Sequence, residues 1–263
     1  MIIIGERLNS TRSSVRKAFE SRDRTFFEST AGDQVRAGAS YIDLNAAALI
    51  ETEVEAMAWA VPLVQAAADV PLAIDSPNPE ALEAGLKAHR GRAVLNSLTG
   101  ESRRLQAVLP LVREYRPLVI VLSLDDGGLP DSPEAALAAA GRTIEVLAAN
   151  GCGAGDILVD PLVRPVGADP AAGKLFLDSL ALIKKHLPEV RTIAGLSNVS
   201  FGLPHRRLVN RTLLILAAQA GLDAVICDPL DRDLMASLAA GQALLGRDPD
   251  LAGYLKAARR LPK

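Results

Sequence analysis

The sequence predicts an α/β fold, specifically a single (β/α)8 TIM barrel domain over residues 1–263. Short β-branched runs recur at intervals of about 25 to 40 residues, and each precedes a longer Ala/Leu-rich or amphipathic stretch, as in repeated βα units. The chain has 263 residues, close to the roughly 250 typical of this barrel. Because no Pro/Gly/Ser-rich linker divides it, one domain is expected.

Several of the strand candidates are apolar at nearly every position, as in VIVL (119–122) and ILV (157–159). Such runs indicate parallel strands that are covered on both faces. An open doubly wound sheet uses the same βα units, but the number of candidates favours a closed barrel. The predicted strands are Ile2 to Gly5, Tyr41 to Asn45, Leu72 to Asp75, Ala93 to Asn96, Leu118 to Ser123, Ile157 to Asp160, Thr192 to Ser197 and Ala224 to Asp228.

The segments between these strands have helical composition and periodicity. Pro79 and Pro133 fall at helix starts, where a missing N–H costs least. Residues from about Gly246 onward form a tail or a final helix. The predicted helices are Glu53 to Ala68, Pro79 to Ala88, Glu101 to Glu114, Pro133 to Ala149, Leu175 to Lys185, Leu208 to Ala220 and Arg232 to Leu245.

Composition and charge exclude several classes of protein. The formal net charge is −2 with scattered Lys and Arg, so no basic face for nucleic acid is expected. The first residues, MIIIGERLNS, have the character of a strand and not of a signal peptide, which predicts a cytoplasmic protein with no membrane partner. Two cysteines and three well-separated histidines offer no metal-ligand spacing, so no metal site is predicted.

Polar residues end nearly every predicted strand, and in a barrel these ends converge on the face that holds the active site. Any one Asp or Asn could simply cap the following helix. As a set, they form a site rich in acceptors and amides that suits a donor-rich heterocycle such as a pterin, whose 2-amino group and N3–H donate together to one carboxylate. The residues are Glu6, Asn9, Asp43, Asn45, Asp75, Asn96, Ser123, Asp160, Ser197, Asn198 and Asp228.

Every lysine lies in a predicted helix or in the tail. A Schiff-base lysine at a strand end, as in one class of barrel aldolases, therefore has no candidate. The sequence thus argues against imine chemistry.

Motifs from the first strand to the last resemble the methyltetrahydrofolate:corrinoid/iron–sulfur protein methyltransferases. They include IIIGERLN (2–9), DLN (43–45), DPL (160–162) and GLDAVICD (221–228). The most specific is G-L-S-N-V-S at 195–200, within GLSNVSFGLPHRRLVNRT (195–212). The resemblance covers almost the whole chain. It implies a pterin-binding barrel of the dihydropteroate synthase-like type, related also to the folate domain of cobalamin-dependent methionine synthase.

The resemblance also implies residue roles, a substrate and a partner. The pterin is held by Asp75, Asn96 and Asp160, and the catalytic Asn198 reaches the N5 nitrogen that carries the methyl group. The substrate is tetrahydrofolate or methyltetrahydrofolate, and the corrinoid (cobalamin) is carried by a partner protein. A homodimer is expected. The further implied or candidate substrate-binding residues are Asp43, Gly195, Ser197, Arg206 and Arg207.

Transfer of an N5-methyl group needs N5 to gain a proton or a strong hydrogen bond as the C–N bond breaks. Asn198 can orient toward N5, while Asp75 first, and then Asp43 or Asp160, can hold a water that relays the proton. Phe201 stands where some relatives carry Gln, so the resemblance does not by itself predict a side-chain contact to the folate at this position.

Two other functions are compatible with this barrel. One is a non-catalytic folate-binding or corrinoid-docking subunit. The other is dihydropteroate synthase, in which a Lys follows the seventh strand and an Arg-x-His ends the eighth. Here those places hold S-N-V-S (197–200) and C-D-P (227–229), which disfavours the synthase.

Overall fold

Eight parallel strands close into a barrel in sequence order, which confirms the predicted fold class. The computed structural model describes residues 1–259. Each strand pairs with the next, and β8 returns to β1 in a parallel register that pairs Ile2 with Ala224. The strands are β1 (Ile2–Asn9), β2 (Tyr41–Asn45), β3 (Leu72–Asp75), β4 (Val94–Gly100), β5 (Leu118–Asp125), β6 (Ile157–Asp160), β7 (Arg191–Gly195) and β8 (Ala224–Cys227).

Helices follow every strand and form the outer layer. They are α1 (Ser13–Glu20), α2 (Arg24–Ala37), α3 (Glu53–Ala68), α4 (Pro79–Ala88), α5 (Ser102–Tyr115), α6 (Pro133–Ala149), α7 (Ala172–His186), α8 (Arg206–Ala220), α9 (Arg232–Leu244) and α10 (Ala252–Ala258). None of those helices is long and apolar enough to cross a lipid bilayer.

Two helices were absent from the sequence prediction. Both α1 and α2 lie in the connection between β1 and β2. The first is only eight residues long, although its buried Val15, Ala18 and Phe19 form an apolar stripe. The second contains Gly32 and polar residues around its circumference and has only a weak apolar stripe. Tertiary packing stabilises both helices. Phe19 and Phe27 bury their rings against each other at a centroid separation of 4.6 Å, and both contact Trp59.

Several predicted boundaries were wrong near the carboxyl ends of the strands. β1, β4 and β5 run further than expected, to Asn9, Gly100 and Asp125. β7 is shorter, since it ends at Gly195 and passes into a 3₁₀ turn, Leu196–Ser200. Ser197 and Asn198 therefore lie on a turn above the barrel and not on the strand itself.

One layer of inward-facing apolar side chains fills the barrel: Ile4, Ala73, Val94, Ile120, Leu158, Ile193 and Ala224. Side chains alternate along a strand, so the inward positions of the next layer lie two residues further along. On five of the eight strands these positions hold a polar side chain, namely Glu6, Asp43, Asp75, Asn96 and Asp160, and on β7 the position holds Gly195. The barrel interior thus changes from apolar to polar within one layer, at its carboxyl end.

Gly85 on α4 shows how closely the helices pack on the barrel. A methyl group there would lie 2.5 Å from Cγ2 of buried Ile74, whereas one at Gly141 on α6 would meet nothing within 4 Å. We expect Gly85→Ala to lower the free energy of unfolding by about 1–3 kcal/mol through overpacking. The matched Gly141→Ala change should raise it by about 0.5–1 kcal/mol, since alanine favours a helix. Urea denaturation of both variants measures the difference, and equal effects would contradict the packing.

Candidate active site

The mouth of the barrel carries two carboxyl groups that lie side by side. Asp43 and Asp75 stand on the neighbouring strands β2 and β3, and their carboxyls are within hydrogen-bonding reach of each other. The Asn96 Nδ2 donates to Asp43 Oδ1 at 2.9 Å, and the Asn45 Nδ2 donates to Asp75 Oδ2 at 2.9 Å. Each carboxyl of the pair therefore accepts a hydrogen bond from a side-chain amide. The side-chain oxygen of Asn96, Oδ1, stays available to a donor on a ligand.

Burial controls the protonation of this pair. It raises the pKa of Asp43 well above the ordinary value of 3.8, and the neighbouring Asp75 raises it further. Burial also raises the pKa of Asp75, to about 6. Because two adjacent carboxyls in a low-dielectric site resist double ionisation, the pair holds a proton near neutral pH, and we place it on Asp43.

Asp160 faces the same cavity from the end of β6. Its Oδ1 accepts the backbone N–H of Leu162 at 2.8 Å, and the N–H of Gly195 also donates to this carboxyl. Burial raises the pKa of Asp160 to about 6 in spite of these donors. Near neutral pH it is a buried, largely ionised acceptor held in place by backbone groups.

The turn after β7 carries Asn198 over the mouth. Gly195, at the end of that strand, leaves the space that the amide uses, because a methyl group on Gly195 would lie 3.2 Å from the Asn198 Nδ2. Ser197 is fixed by a hydrogen bond from its Oγ to the Glu6 Oε1 at 2.7 Å. Within residues 1–259 the Asn198 amide forms no hydrogen bond of its own, so its polar atoms are open to a ligand.

Arg206 and Arg207 begin α8, where positive charge opposes the helix dipole. The contacts of Arg206 account for its position, because its guanidinium donates to the carbonyl of Ser197 at 2.7 Å and to Ser200 Oγ at 3.0 Å. It also lies over the ring of Phe201, which is 69% exposed. Arg207 is mostly exposed and lies 3.6 Å from Asp231. Arg206 thus supports the turn, while Arg207 is open to solvent.

The structure gathers most of the polar residues picked out from the sequence, but not all. Ser123 is fully buried, and the inward-facing positions on β5 are its neighbours Ile120 and Leu122, so it faces the helical layer. Its assignment to the rim was wrong, because an extended strand places alternate residues on opposite faces. Within residues 1–259, the Asn9 side chain accepts hydrogen bonds only from the backbone N–H and the hydroxyl of Thr11, in the turn that follows it.

Three further residues help to build the site: Glu6 and Asn45 were predicted only as members of the polar rim, with no specific role, and Arg104 was not predicted at all. Asn45 orients Asp75, and Glu6 holds Ser197. Arg104, on α5, binds the carbonyls of Ser76 and Ser97 at 2.9 and 2.7 Å and contributes positive charge near Asp75. Arg104 lies on a helix, so the polar ends of the strands gave no signal for it.

The part of the chain that the structure describes contains no group of three His, Cys, Asp or Glu side chains arranged to hold a metal ion.

The model for the family described as pterin binding enzyme matches residues 5–228. This chain belongs to that family. Membership agrees with the inward-facing acids and amides, which span the matched region from Glu6 to Asp160 and end at the Asn198 turn.

Similarity over nearly the full length shows which pterin-binding enzymes this chain resembles. The chain is 34% identical over 262 residues to a methylcorrinoid:tetrahydrofolate methyltransferase of Eubacterium limosum, covering 99% of this chain and 97% of that protein. It is 30% identical over 239 residues to methionine synthase of Mycobacterium leprae (strain TN), covering 86% of this chain but 20% of that enzyme. The resemblance found in the sequence motifs is therefore confirmed.

Solved structures of pterin-binding enzymes share the fold. Dihydropteroate synthase of Xanthomonas albilineans, solved with 4-aminobenzoic acid, aligns with a TM-score of 0.73 and 21% identity over 95% of this chain and 93% of that one. At this identity the likeness establishes the barrel fold alone.

Proposed function

We propose that this protein transfers the N5-methyl group between methyltetrahydrofolate and the cobalt of a corrinoid held by a partner protein. One observation carries the proposal: the Asn198 amide has no partner in the described structure and lies at a mouth lined by Asp75, Asn96 and Asp160. The identity with the Eubacterium limosum methyltransferase supports the same reaction. Residues 1–263 form the pterin-binding domain in this proposal.

The pterin ring binds to the inward-facing acids. Asp160 accepts the paired donors of the 2-amino group and N3–H, since a carboxylate matches that geometry. Its backbone donors keep it oriented before the ligand arrives. Asn96 offers its side-chain oxygen, Oδ1, to the ring, because its side-chain nitrogen, Nδ2, already donates to Asp43. Asp75 accepts a hydrogen bond from a further N–H donor of the ring.

The chemical step is a displacement at the methyl carbon. The electron pair of the reduced cobalt forms the new Co–C bond, the C–N5 bond breaks, and N5 keeps that bond's electron pair. A departing amide anion would be very basic, so N5 must carry a proton as the bond breaks. The reverse direction uses the same site, with N5 of tetrahydrofolate attacking a cobalt-bound methyl group.

The residues at the mouth stabilise protonated N5. Asn198 cannot deliver a proton, but its carbonyl oxygen accepts a hydrogen bond from N5–H in the transition state. The Asp43–Asp75 pair holds a proton near neutral pH. Asp43 passes this proton to Asp75, and Asp75 relays it to N5 through a bound water. The catalytic residues in this scheme are Asn198 and Asp75.

The remaining assignments concern the edges of the site. Gly195 and Ser197 shape the turn under the ring. Arg206 reaches the substrate only through that turn, whereas exposed Arg207 is placed to meet the carboxylates of the folate tail. The corrinoid partner approaches the open mouth. We further propose a homodimer located in the cytoplasm, with neither nucleic acid nor membrane as a partner.

Pterin binding is expected to depend on pH. Asp160 and Asp75 each ionise through a pKa of about 6, and only the ionised form accepts two ligand donors well. The affinity for the folate should therefore rise as the pH rises from 5 to 7.5, by about tenfold for each carboxylate that must ionise. Calorimetric titration across this range measures it. The Asp160→Asn variant should bind weakly with a shallower pH profile, and an unchanged slope would contradict the role of Asp160.

Anaerobic incubation with methyltetrahydrofolate and chemically reduced cobalamin tests the reaction itself. Methylcobalamin formation, followed by absorbance, is the expected result, and a corrinoid protein should accelerate it. Folate binding without any methylation of free or protein-bound corrinoid would instead identify a non-catalytic binding subunit. Condensation of a pterin pyrophosphate with 4-aminobenzoate would identify a dihydropteroate synthase.

A further inference from the structure

Ser197, the residue before Asn198, is held at two points. Its hydroxyl donates to the Glu6 Oε1 at 2.7 Å, and its carbonyl oxygen accepts from Arg206 at 2.7 Å. Arg206 also binds Ser200, at the other end of the same 3₁₀ turn. Both the side chain and the main chain next to Asn198 are thus fixed from outside the turn.

The Asn198 side chain has no such restraint. It is exposed and forms no hydrogen bond in the described part of the chain. A free side chain loses rotamer entropy when it orders, and a small error in its position weakens a hydrogen bond to the reacting atom. The direction of the amide therefore depends on how firmly the turn beneath it is held.

Glu6 holds that turn from a different wall of the barrel. It lies on β1, which is separated from β7 by β8. Its side chain is only 15% exposed. The bond to Ser197 thus spans the mouth of the barrel beside the intervening strand, and it joins residues 191 positions apart in sequence.

The charges around Glu6 come from four elements. Arg12 lies 3.4 Å away, before α1, and Arg206 approaches from α8. Asp228 after β8 and Asp43 on β2 add negative charge. Burial raises the pKa of Glu6, while the Ser197 hydroxyl and then Arg12 act in the opposite direction. The carboxylate is therefore a partly buried acceptor oriented toward Ser197.

We propose that Glu6 is a positioning residue for methyl transfer, acting through Ser197 to hold the Asn198 turn over the site. This inference rests on the proposed function. Since the pterin-binding residues Asp75, Asn96 and Asp160 lie on other strands, loss of the Glu6 carboxylate should misplace Asn198 without removing the folate. It should lower kcat and leave the folate dissociation constant nearly unchanged.

The test is a set of variants assayed for methylcobalamin formation and for folate binding by calorimetry. Glu6→Ala is expected to lower kcat about 10- to 100-fold, with KM for the folate within about twofold of wild type. Glu6→Gln keeps an oxygen acceptor for Ser197 and should recover most of the rate. Ser197→Ala should resemble Glu6→Ala, and the double variant should be no slower than the slower single one, because both changes break one bond.

The matched control is Glu101→Ala. Glu101 is an exposed carboxylate after β4 that also accepts from a hydroxyl, Thr99 Oγ1, at 2.8 Å. It should keep kcat within about twofold. Melting temperatures of all variants check that the barrel is folded.

Three results would overturn the inference: wild-type kcat in Glu6→Ala, a loss of folate affinity equal to the loss of rate, or fully additive effects in the double variant. Asn198→Ala separates these outcomes from a failure of the proposed function. If wild type turns over, Asn198→Ala does not, and Glu6→Ala is normal, only the positioning role fails. If wild type shows no methyl transfer, the function fails and the positioning role fails with it.

Discussion

Asn198→Ala is expected to lower kcat for methyl transfer by a factor on the order of 10² to 10³, the effect of removing one preorganised transition-state contact. The folate dissociation constant should change by less than about threefold. The reason is that the Asn198 side-chain amide forms no hydrogen bond within residues 1–259, while Asp75, Asn96 and Asp160 carry the pterin in the proposed site. Stopped-flow absorbance at saturating folate gives kcat, and calorimetry gives the dissociation constant.

A second asparagine provides the control for this variant. Asn150 lies at the C-terminal end of α6 and bonds Arg113 and the carbonyl of Val146, away from the barrel mouth. Asn150→Ala should keep the wild-type kcat. A large loss of folate affinity in Asn198→Ala, with kcat unaltered, would mean that Asn198 binds the ring and does not act on N5.

Asp75→Asn is expected to weaken methyltetrahydrofolate binding about 100-fold or more at pH 7.5. The change removes a charge-assisted acceptor for the ring and disturbs the bond from Asn45. Losing a hydrogen bond to a charged group costs about 1.5–3 kcal/mol, and about 2.7 kcal/mol corresponds to 100-fold in affinity. Turnover at saturating folate should also fall, because Asp75 relays the proton. Calorimetry and methylcobalamin formation measure the two effects.

The same substitution should stabilise the folded protein at high pH. Burial raises the pKa of Asp75 from 3.8 to about 6 in the folded state. The folded chain therefore binds this proton more tightly than the unfolded chain, and stability falls as the pH rises from about 4 to about 6. Above that range the wild type carries the whole penalty, on the order of 2–3 kcal/mol. Urea denaturation at pH 8 should show Asp75→Asn to be more stable than wild type.

Asp131→Asn is the matched control, since Asp131 is exposed in the loop before α6. It should leave affinity, turnover and stability near wild-type values. If Asp75→Asn bound the folate normally, or were less stable than wild type at pH 8, then Asp75 would be a structural residue and not a ligand of the pterin.

Local sequence pattern determined the barrel and the strand ends that carry the acids. The runs that become β2, β3 and β6 were bounded correctly, because their apolar residues are followed at once by Asn45, Asp75 and Asp160. The pattern holds where burial on both faces selects β-branched residues and the polar edge marks the solvent boundary. Asn198 was predicted by a different route, through the resemblance of the motif G-L-S-N-V-S to a known family.

The first connection shows where local pattern was insufficient. Residues 10–40 contain one helix of only eight residues and a second helix with a weak apolar face, and both are stabilised by the contacts of Phe19 and Phe27 with Trp59 on α3. Most helical stability in proteins comes from such packing and not from intrinsic propensity. The partner on α3 is more than 30 residues away, so no local window of sequence contains it.

Sequence by itself determined the closed barrel, the acids and amides at its carboxyl end, and the family to which the chain belongs. Only the tertiary structure decided which polar side chains face one another: it turned Ser123 away from the site, joined Glu6 to Ser197 and set Asn96 against Asp43. The physical reason is distance along the chain. Periodicity fixes the face on which a residue lies, but a hydrogen bond between strands depends on closure of the barrel and on the register of every strand between them.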